Sequence, residues 1–292
     1  MRRFFYTTSD DTEYEDLPRL HTIAIGGDVS LTDSIAHHWC RVLRANIGDT
    51  GVLFDGFGGE YHVQLKTITK KTATATLLAR VESDNTAPII SKIGLVMSRG
   101  ERMDYAIQKA TELGVTAIQL LSSQHGEVTL KPAQVAKKLA HWQHIAIAAC
   151  EQCGLNRPPL ILAPLPIHTW LQDLTLEGAE SEPLDLMTAV SPAMVALSQD
   201  AYYHVLTTSA DLRIQMSVPA AGQPTRPVAL AAIMAQELPF IELLIGPEGG
   251  LSHDECVRAQ SVGFEPWQIG SRVLRTETAP VVALATLHAL CH

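Results

Sequence analysis

The amino-acid sequence predicts an α/β protein with two domains, a small β-barrel followed by a larger domain built on a mostly parallel sheet. In the N-terminal region, short strand-like segments alternate apolar and polar residues. From Ile89 onward, strand-like and helix-like segments alternate, which is typical of a parallel sheet with helices on both faces. Near the C-terminus, two polar loops follow short apolar runs, as expected where buried strands leave a sheet.

Residues 1–82 are predicted to form the β-barrel. Residues 52–55 lead into a glycine-rich turn, and strands with period-two alternation follow at 61–66 and 73–78. A helix-like segment at 35–44 precedes these strands.

Arg41 and Arg44 on this helix are candidate phosphate-binding residues. Their spacing places both guanidinium groups on one helical face, near His38. A guanidinium binds phosphate through two parallel hydrogen bonds. The alternative is that both are ordinary exposed arginines.

A linker at 83–88 introduces the second predicted domain, residues 83–292. Alternating apolar segments predict a strand at 89–97, a helix at 102–113, a strand at 117–121 and a long amphipathic helix at 132–152.

The most informative stretch is 241–279. An apolar run at 241–245 ends abruptly in Gly-Pro-Glu-Gly-Gly at 246–250, and Ser252 with Glu255 has the spacing of a capping box. Glycines allow the backbone to approach a ligand closely, and open α/β sheets bind ligands at the carboxyl ends of their strands. A tight strand-to-helix turn explains the glycines equally well.

The composition is that of an ordinary globular protein. The chain has 292 residues, 46% hydrophobic content and a net charge of −9. No apolar run approaches the roughly 20 residues that span a bilayer, and no signal peptide is recognisable, so we expect a cytoplasmic protein without membrane contact. The negative charge argues against indiscriminate binding to polyanions, although Lys and Arg outnumber Asp and Glu within 34–81 and 92–144.

The cysteines do not indicate a disulfide framework, because their number, 5, is odd in a chain of this length. Cys150 and Cys153 form a Cys-x-x-Cys pair at the end of a predicted helix, whereas redox pairs lie at helix N-termini. The remaining cysteines are isolated, unlike the paired ligands of a zinc site. We therefore expect small buried side chains, and neither a redox site nor a metal site.

Several motifs occur in a fixed order along the chain: MSRGER at 97–102, QKATELGV at 108–115, AACEQCG at 148–154, IGPEGG at 245–250 and RVLRTETA at 272–279. Together they resemble the bacterial 16S rRNA (uracil-N3)-methyltransferase family of the SPOUT class. RVLR at 41–44 and LFDG at 53–56 are similar to the N-terminal PUA-like barrel of that family. The resemblance therefore covers nearly the whole chain, and the set of motifs is highly specific.

The resemblance implies a C-terminal domain with a deep trefoil knot that forms a homodimer through the knot and binds S-adenosylmethionine. The two loops near the C-terminus match the cofactor loops of the family. The implied cofactor-binding residues are Gly246, Pro247, Glu248, Gly249, Gly250, Ile269, Gly270, Leu274, Thr276, Thr278 and Ala279.

The implied reaction is transfer of a methyl group to N3 of one uridine in 16S rRNA. Positioning of the reactants is expected to dominate such a displacement, but the N3 proton also requires a base or a cation that stabilises the anion. Arg275, Glu277 and Arg99 are the candidates for these roles. A purely structural role is the alternative for each.

The implied partner is 16S rRNA within an assembled or nearly assembled small subunit. An acidic chain binds RNA in this way if it docks on a structured ribosomal surface. The candidate RNA-binding residues are Arg3, His38, Arg41, Arg44, Arg99, Arg102, Gln152 and Arg157.

One segment departs from the family pattern. The family has a His-Pro step after a strand that precedes the glycine loop, whereas this chain has Thr207, Thr208 and Ser209 at the position expected for it. The hydroxyl groups of Thr207 and Thr208 are candidate replacements for the lost cofactor contacts, and a variable loop is the alternative. The following segment, 211–238, is longer than usual and is interpreted as a variable surface loop or a partner contact.

Two functions from other classes remain as alternatives. One is a non-catalytic rRNA-binding or ribosome-assembly protein that keeps the fold, which the intact cofactor loops disfavour. The other is a nucleotide-binding enzyme, which the absence of Lys-Ser/Thr after the glycine loop disfavours.

Overall fold

A computed structural model describes residues 1–7, 19–70, 72–82, 84–176, 185–218 and 226–291. Contacts divide the chain into two units, Met1–Thr86 with Ile147–Pro158, and Ala87–Ala146 with Pro159–His292. The return of residues 147–158 to the first unit was not indicated by the sequence. The domain boundary between residues 82 and 83 stays a prediction.

The first unit contains a five-stranded sheet with the order β1-β3-β4-β5-β2. Its strands are β1 (Arg2–Phe5), β2 (Asp28–Ser30), β3 (Thr50–Phe54), β4 (Glu60–Ile68) and β5 (Ala73–Val81). β1 pairs with β3 in parallel, and the other pairs are antiparallel. Alternate residues of β4, namely Tyr61, Val63 and Leu65, are buried in the core, as the period-two pattern predicts.

A helical insert precedes β3 and carries the basic motif. Its first turn, α1 (Asp33–Ala36), is capped by Thr32, whose hydroxyl accepts a hydrogen bond from the backbone N of Ile35 at 3.4 Å. The chain continues as a π-helix at His37–Val42, which places Trp39 in the core. Gly51 on β3 is required there, because a Cβ would lie 2.8 Å from the Trp39 ring.

The second unit contains a six-stranded sheet in the order β11-β9-β10-β6-β7-β8, with every recorded pair parallel. Its strands are β6 (Ile90–Val96), β7 (Ala117–Ser122), β8 (Leu160–Pro166), β9 (Leu212–Met216), β10 (Phe240–Ile245) and β11 (Phe264–Trp267). Every residue of β6 and β10 is buried, which is why these strands are mostly apolar. Lys92 on β6 and Glu242 on β10 are charged exceptions and pair with each other.

Helices cover both faces of this sheet. The longer helices are α2 (Glu101–Glu112), α3 (Pro132–Cys153), α4 (Ile167–Leu176), α9 (His253–Ser261) and α10 (Ala279–Leu290). Apolar residues of α2, α3 and α10 contribute to one core cluster, whereas α4 and α9 contribute to a separate cluster with Phe264. The predicted parallel sheet with helices on both faces is therefore confirmed.

Short helices connect the remaining elements. They are Leu20–Thr22, α5 (Leu186–Ala189), Pro192–Met194, α6 (Val195–Ser198), α7 (Ala201–His204), Val205–Thr207 and α8 (Leu230–Ile233). The segment 211–238 thus contains β9 and α8, while residues 219–225 lie outside the described residues. Within the described chain, no helix combines the length and apolar character that a membrane span requires.

Candidate functional site

The glycine loop, residues 246–250, follows β10 directly and leads into α9. The backbone N of Gly250 donates to the carbonyl of Pro247 at 2.9 Å, and the positive φ of Gly250, 72°, explains why a glycine stands there. The predicted capping box is confirmed: the backbone N of Glu255 donates to Ser252 Oγ at 3.3 Å, and the Ser252 N donates to Glu255 Oε2 at 2.7 Å. α9 therefore begins at a fixed point beside the loop.

The second polar loop lies beside the first. Thr276 Oγ1 donates to the carbonyl of Gly246 at 3.2 Å, which joins the two loops directly. The backbone N of Ala279 donates to the carbonyl of Arg275 at 3.0 Å, where the loop turns into α10. Two segments separated by about thirty residues in sequence thus form one structure.

A cavity of about 510 Å³ opens between these loops at the carboxyl ends of β9, β10 and β11. Ligand sites of open α/β sheets lie at this end of the strands. The lining residues are Gln215, Met216, Ser217, Val218, Ile245, Gly246, Pro247, Gly250, Leu251, His253, Cys256, Val257, Gln260, Pro266, Ile269, Arg272, Leu274, Thr276 and Ala279.

The lining combines apolar side chains with a few hydrogen-bonding groups. Ile269 and Leu274 are apolar, whereas Ser217 and Thr276 carry hydroxyl groups. Arg272 is the one lining residue, among those described, whose charge is permanent. Such a cavity suits an organic ligand with an apolar ring and polar substituents.

The predicted cofactor-binding residues divide into two groups. Gly246, Pro247, Gly250, Ile269, Leu274, Thr276 and Ala279 line the cavity. Glu248, Gly249, Gly270 and Thr278 belong to the same loops but are not among the lining residues. Glu248 forms an ion pair with Arg102 instead, and Gly249 lies against His125.

Thr207 is placed differently from our expectation. It ends a short helix before β9, and its hydroxyl donates to the carbonyl of His204 at 2.8 Å. It therefore precedes the strand whose opposite, carboxyl end borders the cavity, and we withdraw it as a cofactor contact. The residues that follow β9 and line the cavity are Ser217 and Val218.

Sequence reasoning missed β9 and therefore missed these lining residues. The signal was present, because Leu212, Ile214 and Met216 alternate with polar residues at period two. Arg272 was also missed as a cavity residue, although its motif was recognised.

The candidate catalytic residues differ in environment. The side chain of Glu277 is 13% exposed, and its Oε2 is buried with no hydrogen-bond partner among the described residues. Arg275 is 74% exposed, with Nη1 at 4.0 Å from Glu277 Oε1. Arg99 is also exposed, and its Nε lies 3.4 Å from Glu127 Oε2. Glu277 thus retains an unused acceptor beside the cavity residue Thr276.

Arg3 is bound within the first unit and is not free for RNA. Its guanidinium forms an ion pair with Glu60, donates to Asn156 Oδ1 and to the Gly154 carbonyl at 3.2 Å, and lies over the Phe54 ring. We therefore correct its assignment from an RNA contact to a structural residue.

Arg157 requires the same correction. It forms an ion pair with Asp84, and its Nη2 donates to the Phe57 carbonyl at 2.9 Å. With 14% of the side chain exposed, its donors serve the fold.

The other candidate RNA-binding residues are exposed: His38, Arg41, Arg44, Arg99, Arg102 and Gln152. Arg41 lines a groove of about 650 Å³ between the helical insert and the β4–β5 turn, and it donates to the carbonyl of Lys70. His37 and Lys70 line the same groove. Arg102 faces Glu248 in the second unit.

The Cys-x-x-Cys pair lies at the end of α3, as expected, but Cys153 is exposed, which contradicts the expectation of buried cysteine side chains. Cys150 is buried, and burial raises the pKa of its thiol well above the ordinary value. The reactive thiolate is therefore disfavoured at this position.

Comparisons with known proteins agree with this geometry. A family model described as an RNA methyltransferase domain matches residues 85–186 and 204–288, and an RNA methyltransferase PUA domain matches residues 31–78. A relative named ribosomal RNA small subunit methyltransferase E, from Synechocystis, is 32% identical over 91% of this chain and 74% of its own length. The Bacillus subtilis protein of the same name is 26% identical over 88% of each chain.

Solved structures are similar over almost the entire chain. The ribosomal RNA small subunit methyltransferase E of Neisseria gonorrhoeae, bound to S-adenosyl methionine, has a TM-score of 0.73, 30% identity and coverage of 99% of this chain and 98% of its own. A putative methyltransferase from Legionella pneumophila in complex with the cofactor SAM has a TM-score of 0.71, 27% identity and coverage of 98% and 96%. The predicted fold class, a SPOUT-type α/β domain with a PUA-like N-terminal domain, is confirmed.

Proposed function

We propose that this chain, which belongs to the ribosomal RNA small subunit methyltransferase E family, transfers a methyl group from S-adenosylmethionine to 16S rRNA. We further propose that the acceptor is N3 of a single uridine. The family match carries the first statement, and the resemblance of the loop motifs to the uracil-N3 enzymes supports the second.

The observation that supports the cofactor is the cavity at the carboxyl ends of β9, β10 and β11. Its volume of about 510 Å³ is in the range of sites for drug-sized ligands. The side chains of Ile269 and Leu274 suit the faces of an adenine, and the hydroxyls of Ser217 and Thr276 suit a ribose or an amino-acid portion. The residues present therefore fit S-adenosylmethionine.

S-adenosylmethionine supplies the methyl group from its sulfonium centre. The chain must hold the target base in line with that group, and such positioning accounts for a large part of the rate. The hydrogen bond from Thr276 to the Gly246 carbonyl holds the two loops together on the cofactor side of this arrangement.

We propose that Glu277 accepts the proton that leaves uracil N3. Its Oε2 is buried without a partner among the described residues, and the adjacent Thr276 lines the cavity, so the carboxylate keeps an acceptor that no described protein group uses. In this proposal Arg275, whose guanidinium lies 4.0 Å from the Glu277 carboxylate, stabilises the negative charge that develops on the base. Arg99 is a second candidate for that role.

The RNA substrate contacts the groove of the first unit in this proposal. His38, Arg41 and Arg44 lie on or next to the helical insert, and Lys70 lies across the groove from it. Arg99, Arg102 and Gln152 are further candidate contacts. We propose that the substrate is 16S rRNA in an assembled or nearly assembled small subunit in the cytoplasm, and that the active enzyme is a homodimer.

The test is methylation of small subunits purified from a strain that lacks this gene. Incubation with the protein and S-adenosylmethionine, followed by mass spectrometry of the nucleosides, is expected to yield 3-methyluridine. Methylation of carbon 5 or of a ribose would contradict the N3 assignment. If the rRNA gains no methyl group, the proposed methyltransferase activity is contradicted.

The Glu277→Gln variant then tests the base. We expect S-adenosylmethionine to bind normally and the single-turnover rate to fall by about 10²- to 10⁴-fold, the usual range for a lost general base. Glu237→Gln is the control, because Glu237 is an exposed carboxylate of the same unit and does not line the cavity. Equal rates for Glu277→Gln and the wild type would remove Glu277 from the mechanism.

A further inference from the structure

Arg272 is a charged cavity residue of the second unit whose guanidinium is not neutralised by a carboxylate among the described residues. It lines the cavity, is exposed and has no ion-pair or hydrogen-bond partner among the described residues. The neighbouring arginines of the site differ, since Arg275 faces Glu277 and Arg102 faces Glu248. The guanidinium of Arg272 is therefore available to an anionic group of a ligand.

The rest of the cavity lining offers no competing charge. None of the described lining residues is a carboxylate, and the other ionisable side chains in the lining are His253 and Cys256. The fixed charge at the cavity is thus a single positive one. A ligand is oriented in such a site by its own negative group, and its positive groups are repelled from the arginine.

S-adenosylmethionine has one anionic group, the α-carboxylate, and two cationic groups, the ammonium and the sulfonium. An α-carboxylate is ionised at neutral pH, and a guanidinium binds it through two parallel hydrogen bonds. Resting on the function proposed above, we infer that Arg272 binds the α-carboxylate of S-adenosylmethionine and so fixes the orientation of the cofactor. Arg272 is then a positioning residue and takes no part in proton transfer.

The same guanidinium has a second possible anionic ligand, a phosphate of the target RNA. The two sources separate experimentally, because cofactor binding is measurable without RNA. The experiment uses isothermal titration calorimetry of the full-length protein with S-adenosylmethionine and with its decarboxylated form, which lacks only the carboxylate.

We expect Arg272→Gln to weaken binding of S-adenosylmethionine by about tenfold, the order for a charge-assisted hydrogen bond at an exposed site. Binding of the decarboxylated cofactor is expected to change by less than about twofold. Arg272→Lys keeps the charge but loses the paired donors, so an intermediate affinity is expected. The control is Arg258→Gln, since Arg258 is an exposed arginine of α9 that does not line the cavity.

Several results would overturn this inference. One is unchanged affinity of Arg272→Gln for S-adenosylmethionine, with or without a raised KM for small subunits; a raised KM assigns Arg272 to RNA phosphate. Another is an equal loss of affinity of Arg272→Gln for S-adenosylmethionine and for its decarboxylated form. If Arg272→Gln does not fold, as judged by near-ultraviolet circular dichroism, the wild type alone provides the test. Equal affinity of the wild type for both forms of the cofactor would then overturn the inference.

The inference and the proposed function fail differently. A wild-type protein that does not bind S-adenosylmethionine contradicts the proposed function itself. A wild-type protein that binds it and methylates rRNA, with Arg272→Gln unaffected in cofactor binding, contradicts only the role of Arg272.

Discussion

The ammonium of Lys92 lies 3.0 Å from Oε1 of Glu242, in the interior of the parallel sheet. Glu242 on β10 is the register partner of Lys92 on β6 and of Arg213 on β9. The Nε of Arg213 lies 3.0 Å from the other carboxylate oxygen. Three adjacent strands therefore carry a lateral row of alternating charges, and a shift in register would separate them.

Neutralising Glu242 is expected to destabilise the protein strongly. The Glu242→Gln variant leaves two cations facing an uncharged group, and loss of a buried partner costs about 3–5 kcal/mol in the free energy of unfolding. Lys92→Met is expected to cost less, because the carboxylate keeps Arg213. Urea unfolding measures the free energy of unfolding of both variants.

Glu112→Gln, in a more exposed pair with Lys109, serves as the control and should cost less than about 1 kcal/mol. Equal costs for Glu242→Gln and Glu112→Gln would show that the buried row contributes little.

Arg3→Ala is expected to destabilise the first unit by about 3 kcal/mol. The substitution leaves Glu60 with only its contact to His62 at 2.9 Å, and it removes the donors to Asn156 and to the Gly154 carbonyl, all in a partly buried region. Urea unfolding followed by circular dichroism measures the loss. Arg2→Ala is the control, since Arg2 is the exposed neighbour on the same strand. A normal stability of Arg3→Ala together with weaker rRNA binding would restore the original RNA assignment.

Local features of this fold were readable from the sequence, whereas long-range pairings were not. The capping box at Ser252 and Glu255 joins residues three positions apart, so its pattern is visible in one short window. The partners of Arg3 lie 57 and 153 residues away, and nothing in the sequence near Arg3 indicates them. An arginine near a chain terminus was therefore interpreted as an RNA contact, although it connects β1 to residues 147–158.

The candidate site shows the same division. The glycine loop and the RVLRTETA loop were recognised as motifs, and the hydrogen bond between Thr276 and Gly246 confirms that they lie together. The contribution of β9 depends on its pairing with β10, which brings Ser217 to the cavity. The alternation at 212–216 indicates a strand, but the position of that strand in the sheet comes from its pairing with β10, which a local pattern does not encode.

The stability of the first unit is expected to depend on pH through Asp55. Burial raises the pKa of its carboxyl, and the hydrogen bond from the Phe57 backbone N, at 3.2 Å, offsets this in part. The folded state then holds the proton at pH values where the unfolded state has lost it. The free energy of unfolding therefore falls as the pH rises from about 3.9, the ordinary value for Asp, through the raised pKa, and is constant above it.

The Asp55→Asn variant isolates this effect, because Asn keeps the shape and an acceptor for the Phe57 N–H without titrating. Urea unfolding of both proteins across mildly acidic to neutral pH is expected to show the wild type losing stability relative to Asp55→Asn as the pH rises. A difference that stays constant, or that changes in the opposite direction, would mean that the folded pKa of Asp55 is not raised.

Replacing Arg41 and Arg44 together by Ala is expected to weaken binding to the small subunit and to reduce its salt dependence. Binding releases fewer counterions when phosphate contacts are lost. The slope of log K against log salt should therefore become shallower by about 1.4–1.8 for the pair. The measurement is a filter-binding titration at several salt concentrations. Lys66→Ala is the matched control, since Lys66 is an exposed cation of the same unit that already pairs with Asp28 at 2.7 Å. The proposed interface requires a change of slope for the double variant. It requires almost no change for Lys66→Ala, because removing a side chain that contacts no phosphate does not alter the number of counterions released. If the double variant keeps the wild-type slope, the RNA must bind elsewhere on the protein.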